Sequence, residues 1–272
     1  MATFFQRLRS AQQKHDSWLC IGLDPTANRI PVGIDVETFG KKIVDATAPY
    51  ACAYKMNLAF YLAYGPEGMQ ALQSITAHVP DEIPVILDAK FGDIDYTAMH
   101  YARAAFEVFG ADAVTVSPYV GMDAVKPLID YKDKGVFVLV RSANTTSNDF
   151  QLWPSEQSPL FRYVTAQLNT LADTHPEQIG ITVGATQPRD LTRLRCWAPT
   201  LPFLIPGLGE QEGDIALAVE HGITVTGIGP TINVGRTIIY ASDDPGDFDR
   251  AAAATAHKWV DDIRAEREKQ LA

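Results

Sequence analysis

The stretch Pro84-Val85-Ile86-Leu87-Asp88-Ala89-Lys90-Phe91-Gly92-Asp93 decides how this chain folds. It is apolar through Leu87 and then turns polar at Asp88, Lys90 and Asp93. A short run of consecutive apolar residues suits a strand buried on both faces, as in a parallel sheet covered by helices. Residues i and i+2 of a strand share a face, so Asp88 and Lys90 are expected to project side by side into the interior. Asp93 falls just after the strand, where the chain turns into a helix. Two readings fit these residue types. One is a buried ion pair with Asp93 capping the helix. The other is a cluster of titratable groups at a functional site.

Outward from this stretch the same unit repeats. Apolar runs at 19–24, 51–57, 84–90, 113–119, 136–142, 179–185, 203–207 and 231–234 each precede an amphipathic segment. Those segments are predicted near 36–48, 66–78, the residues before Gly110, 123–131, 159–172, 189–197, 214–220 and from Phe248 onward. Pro66 suits a first helical turn and Gly110 a helix end. Ile223 to Gly227 also reads as strand-like, which leaves the boundaries of the last unit open. Eight β-then-α units favour a closed (β/α)8 TIM barrel spanning 1–272 as one domain. Pattern alone leaves an open doubly wound sheet as an alternative. In a barrel, function sits at the C-terminal ends of the strands. Those ends carry Asp24, Lys55 with Asn57, Asp88 with Lys90, and Ser142, and Arg236 follows the last run.

The chain has 272 residues, 46% of them hydrophobic, with no linker or low-complexity segment. Its formal net charge of -10 disfavours nucleic acid and anionic lipid, yet a local basic pocket still admits a small anion. Cys20, Cys52 and Cys196 form no C-x-x-C pair and suggest neither a disulfide framework nor structural zinc. Residues 1–15 are amphipathic and unlike a secretion signal, and no apolar stretch is long enough for a membrane span. A cytoplasmic protein is expected. The six histidines form no ligand cluster, and the sequon Asn144-Thr145-Thr146 has no consequence in that compartment.

Asp88, Lys90, Asp93, Ile94 and Thr97 match a D-x-K-x-x-D-I-x-x-T motif, and with it the chain resembles the orotidine 5'-phosphate decarboxylases. The resemblance covers nearly the whole sequence. Gly22-Leu23-Asp24-Pro25 is similar to the family's first-strand motif, and Tyr54-Lys55-Met56-Asn57 to its second-strand lysine segment. Pro206-Gly207-Leu208-Gly209-Glu210-Gln211 resembles its phosphate loop, and Gly235-Arg236 its eighth-strand arginine. Ser117-Pro118-Tyr119-Val120-Gly121 and Val183-Gly184-Ala185-Thr186 resemble the longer bacterial branch. Phe91 and Met56 depart from the usual Arg and Pro of that branch, with effects on packing expected. Asn144-Thr145-Thr146 departs from its Asn-Pro form.

The resemblance implies a cofactor-independent, metal-free decarboxylase that converts orotidine 5'-phosphate to UMP. It assigns to Lys90 the stabilisation and protonation of the C6 carbanion. Acidic neighbours Asp88 and Asp93 are expected to favour its charged form. Asp88 would lie near the departing carboxylate, with Lys55 orienting it. Asp24 would hold the ribose hydroxyls, Ser142 the pyrimidine, and Gln211, Gly235 and Arg236 the phosphate. Asp93, Ile94 and Thr97 would reach a neighbouring subunit's site, which implies a homodimer. Taken singly, several of these residues have plainer readings. Asp24 before Pro is a turn former, Ser142 a local backbone partner, Lys55 a rim lysine and Thr97 a first-turn helix residue. Two other functions remain in play. One is an Mg2+-dependent sugar-phosphate decarboxylase on a related barrel. The other is a non-catalytic nucleotide-binding barrel.

Overall fold

The computed structural model describes residues 2–210 and 213–271. Eight strands close into a parallel barrel in sequence order. They are β1 (Leu19–Gly22), β2 (Ala53–Asn57), β3 (Val85–Phe91), β4 (Ala113–Val116), β5 (Gly135–Arg141), β6 (Ile179–Val183), β7 (Phe203–Ile205) and β8 (Thr231–Val234). The seam pairs β1 with β8, with Leu19 opposite Ile232 and Ile21 opposite Val234. The expected (β/α)8 barrel is therefore the observed fold, and the open sheet is excluded.

Helices follow the strands much as the periodicity predicts, including Val36–Thr47, Gly65–Thr76, Leu160–Thr174 and Pro188–Trp197. Four differences have local causes. The run expected to extend to Tyr119 stops at Val116, because Pro118 opens a single 3-10 turn. The helix expected over 123–131 is only Lys126–Ile129. The strand-like Ile223 to Gly227 is a turn, with Gly227 at φ 80° and the Thr224 hydroxyl accepting from Ile228 N. Short helices at Leu58–Leu62, Asn148–Gln151 and Arg236–Ile239 lie between the segments that the periodicity assigns.

The barrel interior changes character along its axis. Ala53, Ile86, Ala113 and Phe137 form an apolar lower layer with Cys20 and Leu204. Two residues further along β2, β3 and β5 the inward positions become Lys55, Asp88 and Leu139, which line a cavity at the strands' C-terminal ends. The bottom is closed by the N-terminal helix Phe4–Lys14, begun by a capping box between Thr3 and Gln6. Its Phe4 and Phe5 meet Phe137 edge-on, with ring centroids 5.8 and 5.4 Å away. Gly180 leaves room for them, since a Cβ there would sit 2.7 Å from the Phe137 ring. The amphipathic N-terminus thus serves as a plug. Cys20, Cys52 and Cys196 are all free. No described helix is long and apolar enough to cross a membrane.

Phe5→Ala should cost about 3–5 kcal/mol in urea unfolding, the usual loss for a buried ring, while the folded fraction keeps its ligand site. A loss below about 1 kcal/mol would contradict the plug's place in the core.

Candidate active site

The cavity at the barrel mouth has a volume of about 360 Å3. A chain of alternating charge crosses its floor. Asp24 Oδ2 lies 3.8 Å from Lys55 Nζ, which donates to Asp88 Oδ2 at 3.1 Å. Asp88 Oδ1 accepts from Lys90 Nζ at 2.6 Å and from the Thr115 hydroxyl at 2.8 Å. Lys55 is 3% exposed and Asp88 8%, so neither is solvated on its own. Burial opposes the Lys55 charge, but Asp24 and Asp88 outweigh it and lift its pKa above the ordinary lysine value. Burial also opposes the Asp88 charge. The Lys55 and Lys90 ammoniums, with hydrogen bonds from Lys90 and Thr115, overcome it and hold the carboxyl well below its usual range.

Lys90 reaches this position by a route that the simple strand alternation does not predict. The β3–β4 register shifts between Leu87 and Phe91, and Lys90 adopts φ 51°. A left-handed conformation is costly for a residue with a side chain and persists where the surroundings enforce it. Here the Thr115 hydroxyl accepts from Lys90 N at 2.9 Å and also donates to Asp88. The bulge lifts Lys90 toward the opening, where its side chain is 43% exposed, while its ammonium stays on Asp88.

Asp24 lines the cavity, and its Oδ1 accepts from Asn57 N at 3.0 Å. Ser142, Gly235 and Arg236 line it as well. Gly207 and Gly209, after β7, have φ 101° and 86°, conformations that favour glycine. A Cβ on Gly209 would lie 2.5 Å from the Thr237 hydroxyl. Gly235 backs onto Gly22, where a Cβ would sit 3.2 Å from the Gly22 carbonyl. Arg236 is held by Glu210 Oε2 at 2.8 Å, and Glu210 Oε1 also accepts from Arg29 at 3.0 Å. Gln211 lies outside the described residues. Asp93, Ile94 and Thr97 do not line the cavity of their own chain. Ile94 is 66% exposed, and Asp93 Oδ1 accepts from Ile94 N rather than capping the helix Asp95–Arg103.

A family model described as Orotidine 5'-phosphate decarboxylase / HUMPS family matches residues 17–251. The chain belongs to this family. The orotidine 5'-phosphate decarboxylase of Dehalococcoides mccartyi strain 195 is 42% identical over 268 residues, covering 98% of this chain and 99% of the relative. That of Thermomicrobium roseum is 41% identical, covering 98% and 97%. Among solved structures, the Leishmania donovani OMP decarboxylase is 37% identical with a TM-score of 0.84, covering 97% and 98%.

Residues of this family member that sequence reading passed over fall into two groups. Thr115 was hidden inside an apolar run, yet its alternation with Ala113 puts it on the inner face beside Asp88. Glu210 reads in sequence only as part of a glycine loop, and its pairing with Arg29 and Arg236 joins residues that follow three different strands. The departures at Phe91 and Met56 are accommodated by packing. Phe91 stacks on Tyr101 at 4.2 Å, and the buried Met56 sulfur accepts from the Thr76 hydroxyl at 3.6 Å. Among the described residues, no group of three or more His, Cys, Asp or Glu is arranged to hold a metal ion.

The depressed Asp88 pKa adds stability that is complete above its unfolded value near 3.8 and fades as pH falls toward the folded value. The raised Lys55 pKa adds stability that is complete below 10.5 and is lost as pH climbs through the folded value. Lys55→Met should therefore destabilise the fold by about 3–5 kcal/mol at neutral pH, because it strips one partner from a buried carboxylate. The deficit should shrink below about pH 4, as Asp88 protonates in the variant. Urea unfolding at neutral and acid pH tests this, and a deficit independent of pH would contradict it.

Proposed function

We infer that this chain decarboxylates orotidine 5'-phosphate to UMP at the mouth of its barrel. The observation that carries the reading is the Asp24–Lys55–Asp88–Lys90 charge chain beside a glycine-rich loop and Arg236, in a member of this family. The ribose would lie against Asp24, the pyrimidine against Ser142, and the phosphate against Gly235, Arg236 and Gln211. Glycines let backbone N–H groups approach a phosphate, and a guanidinium offers it a bidentate fork. Phosphate binding then exchanges one anion for another, since Glu210 already occupies Arg236.

In the chemical step the C6–carboxylate bond breaks, CO2 leaves, and the electron pair stays on C6. The Lys90 ammonium stabilises this charge and then transfers a proton to C6. Lys90 is left as a neutral amine and regains its proton from solvent, to which its half-exposed side chain has access. Asp88 sits where the departing carboxylate would meet like charge, and Lys55 with Thr115 keeps it ionised and aimed. No metal or organic cofactor is needed, because the ammonium supplies the electrostatic stabilisation.

The same reading takes residues 1–272 as one barrel domain of a cytoplasmic enzyme that completes UMP synthesis. It takes Asp93, Ile94 and Thr97 as contributions to the site of a second copy. Their outward placement and the exposed Ile94 support a homodimer with shared sites. The Mg2+-dependent alternative fits the charge balance less well. The Lys55 ammonium lies between Asp24 and Asp88 and neutralises the carboxylates that a divalent cation would use.

Lys90→Ala should lower orotidylate turnover, followed by loss of its ultraviolet absorbance, by at least roughly a thousandfold. EDTA should leave the wild-type rate unchanged. Full activity in Lys90→Ala, or an EDTA-sensitive enzyme inert toward orotidylate, would overturn the reading. Mixing inactive Lys90→Ala and Asp93→Asn subunits should restore up to about a quarter of wild-type activity, since half the dimers then carry one intact site. No recovery after demonstrated subunit exchange would contradict shared sites.

A further inference from the structure

Arg141 ends β5 with a charged side chain that is 1% exposed. Regular alternation from Leu139, which lines the cavity, would aim Arg141 into the same cavity. The β5–β6 register instead shifts between Leu139 and Arg141, and the side chain packs behind the barrel wall. There its guanidinium makes five hydrogen bonds. Nε donates to Asp190 Oδ2 at 2.8 Å, and Nη2 donates to Gln187 Oε1 at 3.1 Å. Nη1 donates to Ser147 Oγ at 2.8 Å and Gln151 Oε1 at 3.1 Å, and Nη2 also donates to Asn148 Oδ1 at 2.6 Å.

The acceptors come from two places. Asp190 and Gln187 sit at the start of the helix Pro188–Trp197, which is part of the barrel body. Ser147, Asn148 and Gln151 belong to the loop that begins at Ser142. A guanidinium has five N–H donors in a fixed planar fork, so all of its directions are committed. Gln151 carries the constraint onward. Its Oε1 also accepts from Ser142 N at 3.0 Å, and its Nε2 donates to Ser142 Oγ at 3.4 Å. The base of the loop is pinned from the other side, where Gly184 N donates to the Arg141 carbonyl at 2.8 Å. A Cβ on Gly184 would lie 2.7 Å from Ala143 N.

The geometry points to Arg141 as a positioning residue that sets how the 142–151 loop reads the pyrimidine, acting on Ser142 through Gln151. This rests on the assignment of Ser142 to the base, and it adds a residue that never touches substrate. An arginine is required because a lysine keeps the charge opposite Asp190 but cannot span both groups of acceptors. The loop is otherwise exposed at Asn144, Thr145 and Thr146, so without the clamp its ordering entropy would be charged to substrate binding.

The test compares the inhibition constants of UMP and ribose 5-phosphate against orotidylate turnover. The enzymes are wild type, Arg141→Lys, Gln151→Ala and Gln151→Glu, with urea midpoints recorded for each. Gln151→Ala spares the buried Arg141–Asp190 pair and so keeps the test open if Arg141→Lys folds poorly. UMP inhibition should weaken about tenfold in Gln151→Ala and at least as much in Arg141→Lys, while ribose 5-phosphate, which lacks the base, inhibits as in wild type. Gln151→Glu, which keeps the acceptor that Arg141 and Ser142 share, should recover most of the UMP affinity. Equal weakening of both inhibitors, or a drop in urea midpoint with UMP inhibition unchanged, would overturn the proposal. A wild-type chain inert toward orotidylate would instead overturn the functional reading beneath it.

Discussion

One buried carboxylate organises this molecule's chemistry. Asp88 is shared by two ammoniums and a hydroxyl, and it stays ionised at a depth where an isolated carboxylate would take up a proton. Each partner comes from a different strand: Lys55 from β2, Lys90 from the distorted end of β3, and Thr115 from β4. Parallel neighbours in a closed barrel bring such residues together at one level with no loop required. The carboxylate is also what justifies the strained backbone at Lys90, because the hydroxyl that caps Lys90 N is the one that bonds Asp88.

The barrel keeps its two ends separate. The lower end is sealed by aromatic rings from the N-terminal helix, which pack on an apolar layer of the barrel. The upper end concentrates nearly all of the interior charge. Apolar packing and the charge chain therefore draw on different residues of the same strands, two positions apart. Backbone strain at Lys90 can be carried because the plugged base and the surrounding helices hold the strands in register.

Much of this was legible in the sequence. The consecutive apolar runs with polar tails reported both the parallel sheet and the end of it that matters, and Asp88, Lys90, Lys55 and Asp24 do converge in one cavity. Local pattern failed where tertiary contacts decide. Strict alternation put Lys90 flat beside Asp88, whereas a bulge raises it to the mouth. The same kind of bulge turns Arg141 outward, so an arginine beside a candidate binding serine gave no sign that it packs behind the wall. Residues 1–15 read only as amphipathic, and nothing local says that Phe4 and Phe5 enter a barrel. Glu210 and Arg29 meet only because the loops after β7 and β1 face each other across the closed seam.

The proposed function turns on delivery of a proton to C6 by the Lys90 ammonium. Microscopic reversibility makes the same lysine the route by which that proton leaves UMP. Proton NMR of UMP incubated with the enzyme in D2O, watching the C6–H signal, tests this without any carboxylate in the substrate. Slow loss of the C6–H signal is expected with wild type, and none above background with Lys90→Ala at matched occupancy. Exchange at the same rate in the two proteins would contradict it.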